Sequence, residues 1–310
     1  MTREPVYCFA ADLGGTKLAA AIADVHGRIL AELTESTDPR GAAYVAEQIT
    51  ACAGKLARTA GIEVTPPRQV VVGIPGAIEP RTGRVSLIPN IAGLEDFDVL
   101  RYLRSRFGSD VAIENDVNLA MLGEQALGCA SGCHNAAFLA LGTGAGLGLL
   151  IGGKLYRGAC GAAGEIGEIP IGRDPTSKIP SSTGTFELEV GSLAIVDRYR
   201  RQGGTVATTV RDIFSLLEQG DEVAASVLDT TAQWVAMGIV TLQSLLDLEL
   251  IVLGGSIGAR PELYERVRRV LAAFSSRSIT IAPSRLGDRA GLIGAVWAAA
   301  TALQRDHELA

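Results

Sequence analysis

Apolar residues form short runs on either side of two glycine-rich turns. The first pair of runs covers residues 6–11 and 18–22, and the second covers residues 136–140 and 147–151. Apolar runs of this length, bounded by glycine, are typical of buried strands. The pattern therefore predicts a strand, a glycine turn and a strand at each place.

Helical spacing of apolar residues and good helix formers predict the elements between and after these hairpins. Helices are expected over residues 42–60, 100–107, 117–127, 187–202, 210–219, 221–246, 261–273 and 290–303. Further strands are expected over residues 69–74, 111–113 and 250–253. This mixture predicts an α/β fold.

The two hairpins resemble each other in sequence. Five residues of the first recur in the second at a constant offset of 129: Phe9, Ala11, Gly15, Leu18 and Ile22 become Phe138, Ala140, Gly144, Leu147 and Ile151. The repeat predicts two similar α/β halves with a cleft between them.

The turns have a composition that suits phosphate. We call residues 12–17 (Asp-Leu-Gly-Gly-Thr-Lys) the first glycine turn and residues 141–148 (Leu-Gly-Thr-Gly-Ala-Gly-Leu-Gly) the second glycine turn. Without a Cβ, glycine lets backbone N–H groups approach phosphate oxygens, although most such turns alone are ordinary hairpins. Between them, residues 113–118 (Ile-Glu-Asn-Asp-Val-Asn) place a carboxylate at the start of a helix. Two phosphate sites and one carboxylate are what phosphoryl transfer to a hydroxyl requires.

Composition narrows the choice of partners and compartment. The net charge of -6 and the pI near 5.3 argue against nucleic acid, and no basic amphipathic stretch suits a membrane surface. The longest uncharged run, residues 135–153, carries glycines at turn positions and is expected to be a buried hairpin rather than a membrane span. Five unpaired cysteines and an N-terminus without a secretory signal predict reduced thiols in the cytoplasm. Cys129, Cys133 and His134 are close in sequence, but without a second ligand pair they are interpreted as incidental rather than metal-binding.

The ordered motifs resemble the ROK family of sugar kinases. They are residues 12–24, 71–85, 88–93 (Ile-Pro-Asn-Ile-Ala-Gly), 113–118, 141–148, 161–167 (Gly-Ala-Ala-Gly-Glu-Ile-Gly), 252–258 and 290–295. The resemblance implies the actin/hexokinase/Hsp70-like (ribonuclease H-like) fold, with two domains, a central cleft and ATP bound between the domains. The expected small domain is 1–115 plus a C-terminal helix at about 295–310, and the large domain is 116–294.

The resemblance also assigns roles to individual residues. Asp116 aligns with the general base, a role compatible with capping the helix that it begins. The implied sugar contacts are Gly76, Asn90, Asn115, Asp116, Glu165, Glu168 and Glu187, with Glu189 as a competitor of Glu187. The implied nucleotide contacts are Asp12, Gly14, Gly15, Thr16, Lys17, Gly142, Thr143, Gly144, Gly146, Gly254, Gly255 and Ser256, and Asp12 would hold Mg²⁺ through water.

The chain departs from the family after Gly167. The family has a histidine at the next position and then three cysteines, and these four side chains hold a structural zinc. Here that position is Glu168, and residues 170–186 contain no cysteine and no histidine. We therefore expect no structural zinc, and Glu168 brings a second carboxylate close to Glu165 that would suit an amine-bearing or differently hydroxylated acceptor.

The resulting hypothesis is an ATP-dependent kinase acting on a hydroxyl, most simply the primary one, of a hexose, amino sugar or cyclitol. One alternative is a sugar-responsive regulator, but the first glycine turn begins at Asp12 and leaves no room ahead of it for a DNA-binding domain. Another is an ATPase without a sugar site. The resemblance implies a homodimer, while the acceptor, and polyphosphate as a donor in place of ATP, stay open.

Overall fold

The computed structural model describes residues 6–62, 66–79, 82–86, 91–108, 110–171, 184–274 and 278–308. The chain forms two compact units. The first consists of Met1–Leu127, Arg157–Ala162 and Arg289–Ala310, and the second of Gly128–Tyr156 and Ala163–Asp288. The helix that begins at Asp116 therefore belongs to the first unit.

The elements in chain order are β1 (Tyr7–Leu13), β2 (Lys17–Asp24), β3 (Ile29–Ser36), α1 (Ala42–Thr59), β4 (Gln69–Ile74), β5 (Ala77–Ile78), β6 (Val85–Ser86), α2 (Val99–Phe107), β7 (Asp110–Asn115), α3 (Asp116–Leu127), β8 (Ala136–Leu141), β9 (Ala145–Ile151), β10 (Lys154–Leu155), α4 (Glu187–Val190), α5 (Ser192–Arg201), α6 (Val210–Glu218), α7 (Glu222–Leu246), β11 (Leu250–Gly254), α8 (Gly255–Gly258), α9 (Pro261–Phe274), β12 (Ile281–Pro283) and α10 (Ala290–Glu308). Single 3₁₀ turns lie at Ile166–Glu168 and Gly287–Arg289.

The two units contain sheets of the same design. Strand order is β3-β2-β1-β4-β7 in the first and β10-β9-β8-β11-β12 in the second. In each, the first strand of the glycine hairpin is antiparallel to the second and parallel to a later strand. The repeat in the sequence thus corresponds to two sheets of matching topology, as expected.

Alternation along β1 explains why the first sheet is buried on both faces. Phe9 and Leu13 point into a core formed with α1 and α2, whereas Cys8 and Ala10 point into a core formed with α10. The second unit has one large core around α7, to which β8 contributes Leu139. Because these cores fix β1 and β8, the turns that follow both strands are held at defined places.

The helix expected over residues 187–202 is wrong as a single element. It is divided into α4 and α5 at Gly191, whose backbone is extended. A Cβ on Gly191 would lie 2.9 Å from Glu187 O and 3.0 Å from Thr143 O, so the chain passes close to the second glycine turn here. Helical spacing alone does not register such a contact.

Helix α7 is the single helix in the described ranges whose length and apolar composition would allow it to cross a membrane. Half of its most apolar window is buried within the protein, and Val227, Val235 and Ile239 are wholly buried in the core of the second unit. Its apolar character is accounted for by this packing.

Candidate active site

The first glycine turn is a closed hairpin end. The Gly14 N–H donates to Lys17 O at 2.8 Å, and the Thr37 hydroxyl donates to Gly14 O at 2.7 Å. Gly15 and Thr16 at the tip are exposed. A Cβ on Gly14 would stand in ordinary contact with Lys17 O at 3.4 Å, so packing within the protein does not by itself require glycine there.

Asp12 precedes this turn at the end of β1, in a tightly packed environment. Its carboxylate lies against Gly73 of β4, where a Cβ would be 3.1 Å from Asp12 Oδ1, and against Gly291 of α10, where a Cβ would overlap it. Part of Asp12 remains accessible to solvent, but protein atoms surround its carboxyl group. Burial raises the pKa of Asp12 to about 7, the Asp116 charge adds to the rise, and Lys17 opposes it.

The turn from β7 into α3 carries the proposed base. Asn115 Oδ1 accepts the Asn118 N–H at 2.9 Å, which is the bond that an N-cap side chain makes. Asp116 Oδ1 accepts the adjacent Val117 N–H at 2.9 Å. The capping role that could have accounted for Asp116 is therefore filled by Asn115.

Asn115 is also tied to β5 through Gly76. Its Nδ2 donates to Gly76 O at 3.0 Å, and Gly76 has a φ of 104°, which favours glycine. An asparagine side chain has two N–H donors and an acceptor with two lone pairs. After its two internal bonds, Asn115 still has one N–H and one lone pair for a ligand.

Asp116 has the electrostatic character of a proton acceptor. Burial raises its pKa to about 6, while hydrogen bonds from the backbone of Val117 and of Asp116 itself lower it. Within the part of the chain that the structure describes, no other residue donates to its Oδ2. This oxygen is therefore available to accept a hydroxyl proton.

In the second unit, Glu187 lies on the second glycine turn. Glu187 Oε2 accepts the Ala145 N–H at 3.0 Å, and a Cβ on Gly144 would overlap this carboxylate. The Ser192 N–H, at the start of α5, donates to Gly142 O at 3.0 Å. A side chain at position 144 would therefore displace the Glu187 carboxylate, a contact that the sequence pattern did not reveal.

Glu189, the competitor of Glu187, has a different role. Its carboxylate forms an ion pair with Arg198 at 2.6 Å, and Arg198 is 7% exposed. Arg198 also donates to Glu189 O at 2.9 Å and to the Thr231 hydroxyl at 3.0 Å. Glu189 of α4 therefore binds Arg198 of α5, which in turn binds Thr231 of α7.

Glu165 precedes a 3₁₀ turn, and Glu168 is the last residue of that turn. Glu165 is half-buried, whereas Glu168 is exposed. Gly164 has a φ of 100° and packs against the Leu147 backbone, so the chain leading into Glu165 lies beside β9. Asn90 and residues 172–183 lie outside the described residues.

Packing within the second unit explains why residues 254 and 255 are glycines. A Cβ on Gly254 would overlap the Phe138 ring, and Gly255 has a φ of 77° against the Leu141 backbone. Ser256 lies beside the second glycine turn, with its Oγ 3.4 Å from the position of a Cβ on Gly142. These three residues thus pack around the end of β8.

Among the described residues, no group of three or more His, Cys, Asp or Glu side chains is arranged to hold a metal ion. The Cys129 thiol donates to Pro283 O at 3.8 Å, and His134 packs against Gly153.

Two residues of the site were missed by sequence reasoning. Glu114 belongs to the motif of residues 113–118 but was given no role, and it binds both asparagines of that motif. Gly291 lies in the motif of residues 290–295 and provides the space for Asp12. A charged residue at the end of a buried strand, and a glycine in the first turn of an apolar helix, were the available signals.

Comparisons with known proteins show which family the chain belongs to. A sequence model of the ROK family matches residues 8–302. A glucokinase from Streptomyces coelicolor is 30% identical over 307 residues, covering 92% of this chain and 94% of the relative. A beta-glucoside kinase from Listeria innocua is 30% identical over 293 residues, covering 93% and 95%.

A comparison with solved structures also identifies the ROK family. The crystal structure of a ROK family glucokinase from Streptomyces griseus, in complex with glucose and AMPPNP, superposes with a TM-score of 0.79 at 27% identity. The match covers 95% of this chain and 99% of that one. Relatives that are sugar kinases thus match this chain over nearly their whole length. The chain therefore belongs to the ROK family and has its actin/hexokinase-like fold.

Proposed function

We propose that this protein is an ATP-dependent sugar kinase with Asp116 as its general base. The observation that carries the proposal is the state of the Asp116 carboxyl group. Its pKa is raised to about 6, the helix cap is supplied by Asn115, and Oδ2 accepts from no other described residue. Such a carboxylate is ionised at neutral pH and has an oxygen ready for a proton.

The chemical step follows from that position. As a sugar hydroxyl oxygen forms a bond to the γ-phosphorus of ATP, its proton passes to Asp116 Oδ2. The bond between the γ-phosphorus and the bridging oxygen breaks, and ADP leaves. The acceptor is a hexose, amino sugar or cyclitol, and its primary hydroxyl is the simplest site of attack.

The donor is ATP, which is supported by the AMPPNP in the Streptomyces griseus relative. The exposed tip of the first glycine turn, Gly15 and Thr16, is proposed to meet the terminal phosphates together with Lys17. The backbone N–H groups of Gly144 and Gly146 in the second glycine turn are also proposed to approach the phosphates, and Gly254 and Gly255 are proposed to flank the adenosine.

Mg²⁺ fits the residues around Asp12. A carboxylate whose pKa is raised to about 7 by burial and by a second carboxylate is stabilised by a cation, and Mg²⁺ prefers oxygen ligands. Asp12 would hold the ion through water, and bound Mg²⁺ neutralises charge that develops on the phosphates.

The sugar contacts are proposed to be Gly76, Asn90, Asn115, Glu165, Glu168 and Glu187. Of these, Asn115 retains one donor and one lone pair for hydroxyl groups. Glu165, which is half-buried, is better suited than the exposed Glu168 to hold a polyol, because charge-assisted hydrogen bonds are stronger when water is excluded.

A coupled assay of ADP release tests this function across hexoses, amino sugars, N-acetylated sugars and cyclitols, with polyphosphate in a second arm. At least one acceptor should stimulate ADP release, and Asp116→Asn should lower its kcat by about 10²–10⁴-fold while retaining sugar binding. The control is Asp197→Asn, a change of the same chemistry at an exposed carboxylate of α5.

The competing functions give different results. ADP release without dependence on any sugar would indicate an ATPase. Sugar binding without turnover by any donor would indicate a sugar-responsive regulator. Full activity of Asp116→Asn would show that Asp116 is not the base.

A further inference from the structure

We infer that Arg157 is a positioning residue for the turn that carries Asp116, and that it acts through Glu114. This inference rests on the proposed function, because the turn matters for rate only if Asp116 is the base. Arg157 belongs to none of the motifs that carry the family resemblance.

Glu114 is the centre of a hydrogen-bond network. Its Oε1 accepts the Asn115 N–H at 3.0 Å and Asn118 Nδ2 at 2.9 Å. Its Oε2 accepts from Arg157 Nε at 2.7 Å. The Glu114 side chain is 12% exposed and that of Arg157 is 45% exposed. One carboxylate therefore binds a backbone group and a side chain of the catalytic turn, and one cation holds that carboxylate.

Arg157 lies beside Glu114 because a short segment of the chain leaves the second unit and packs with the first. Residues Arg157–Ala162 pack with the first unit, although the residues before and after them belong to the second. At the far end of the segment, Gly161 has a φ of 80° and packs against the Ile78 carbonyl of β5. The carbonyl of Gly76, just before β5, accepts Asn115 Nδ2. The segment therefore contacts Glu114 directly and, at Ile78, the strand that follows Gly76.

The Asn118 side chain depends on Glu114, and so indirectly on Arg157, for its orientation. Asn118 is 3% exposed, and its Oδ1 has no hydrogen-bond partner among the described residues. Its bond to Glu114 is thus what orients its amide. A largely buried carboxylate without a cation is costly, so loss of Arg157 would turn Glu114 toward water and release Asn118 and the Asn115 N–H. Because Asn115 caps α3, the position of Asp116 would change as well.

The test compares Arg157→Met, which keeps an unbranched apolar stem, with Arg157→Lys, which restores a cation without the planar fork. The control is Arg201→Met, which removes an exposed ion pair to Asp197 on α5. The measurements are kcat, both KM values, and hydrogen exchange of the Asn115 and Asn118 amides by mass spectrometry or NMR.

Arg157→Met should lower kcat by about 10–100-fold and raise the sugar KM by a smaller factor, because Asn115 is a proposed sugar contact, whereas misplacing the reacting group acts on the transition state. Exchange at Asn115 and Asn118 should accelerate, and Arg157→Lys should recover part of both effects. Arg201→Met should leave all of them unchanged. In a cycle with Glu114→Gln, the two losses should not add, since both residues act through one interaction.

The inference is wrong if Arg157→Met leaves kcat and amide exchange unchanged. It is also wrong if the ATP KM rises while kcat holds, because Arg157 would then bind phosphate directly. If the wild-type protein releases no ADP with any acceptor, the proposed function fails, yet amide exchange still tests whether Arg157 orders the turn. If Arg157→Met does not fold, the comparison of Arg157→Lys with wild type carries the same readouts.

Discussion

At the scale of single residues, Asp12 and Asp116 of the first unit make the stability of the protein depend on pH. An ordinary aspartate pKa is 3.8, whereas those of Asp116 and Asp12 rise to about 6 and about 7. Above pH 7 the folded protein holds charge where burial disfavours it, so these groups lower the free energy of unfolding. As the pH falls from 7 to 4 the folded state gains protons before the unfolded state does, and the penalty disappears.

Asp116→Asn should therefore stabilise the ligand-free protein at pH 8, while lowering activity. The amide keeps the acceptor for the Val117 N–H and removes the buried charge. We expect a gain on the order of 1 kcal/mol, or about 2–4 °C in Tm. The gain should shrink as the pH approaches 4. Thermal unfolding from pH 4 to pH 8, with Asp197→Asn as control, checks this, and a variant less stable than wild type at pH 8 would contradict it.

A second prediction at this scale concerns which group a side chain at position 144 would displace. A Cβ there points at the Glu187 carboxylate, so a valine meets Glu187 before it can meet a nucleotide. We expect Gly144→Val to weaken ATP binding because the displaced carboxylate disturbs the second glycine turn. The double variant Gly144→Val/Glu187→Ala should recover most of the affinity, because the space is then free.

Direct nucleotide binding, by calorimetry or a fluorescent analogue, is the proper measurement, because Glu187 is also a proposed sugar contact. Glu187→Ala alone should leave ATP affinity within about 3-fold of wild type. If the double variant stays as weak as Gly144→Val, the phosphates themselves need the space at position 144.

At the scale of elements, the break at Gly191 shows how a close contact overrides helical periodicity. Helices α4 and α5 are held together across the break by Arg198, which joins Glu189 of α4 to Thr231 of α7. Both helices flank the second glycine turn through Glu187 and Ser192. The ion pair between Glu189 and Arg198 thus stabilises the two helices that contact the second glycine turn.

Arg198→Ala should lower the free energy of unfolding by about 2 kcal/mol, because it removes the packing of a buried side chain and its bonds to Glu189 and to the buried Thr231 hydroxyl. The matched change Arg201→Ala, at an exposed pair on the same helix, should stay within about 0.5 kcal/mol of wild type. Denaturant unfolding of the two variants measures the difference. Equal effects would mean that the buried pair contributes no more than a surface one.

The two glycine hairpins show a limit of the internal repeat. Phe9 lies opposite Ile22 on β2, but Phe138 lies opposite Gly148 on β9 rather than opposite Ile151. The second hairpin turns earlier, so the offset of 129 does not relate equivalent pairs on both strands. The repeat in the sequence identifies the matching sheets, whereas backbone pairing defines the register.

At the scale of the whole molecule, the departure from the family zinc motif predicts a protein that folds without this metal. Structural zinc needs four nitrogen or sulfur ligands, and residues 170–186 supply none. Elemental analysis should find no stoichiometric zinc. Chelators should change neither Tm nor sugar affinity beyond the effect of removing Mg²⁺, which adding Mg²⁺ back should reverse. About one zinc per chain would overturn this reading and return Cys129, Cys133 and His134 as candidate ligands.

Much of the architecture was predictable because local patterns report burial and turns. The strands that precede both glycine turns, the helix that begins after Asn115 and the apolar α7 follow from periodicity and composition. Short elements such as β12 and α8 were not predicted, since three or four residues carry too little pattern to distinguish them from loops. The Asn115–Asp116 pair was found because family resemblance located it, and its neighbours in sequence are also its neighbours in space.

The sequence by itself determined the family, the two matching halves and the residue types needed for phosphoryl transfer. Only the tertiary structure decided that Asn115 caps α3, that Glu187 lies on the second glycine turn, and that Glu189 pairs with Arg198. It also decided that Arg157 joins the first unit and binds Glu114. Each of these contacts, apart from the cap, joins residues that lie 9 to 43 positions apart. Local periodicity describes which face of an element is buried, but the partner that arrives on that face is set by how distant elements pack.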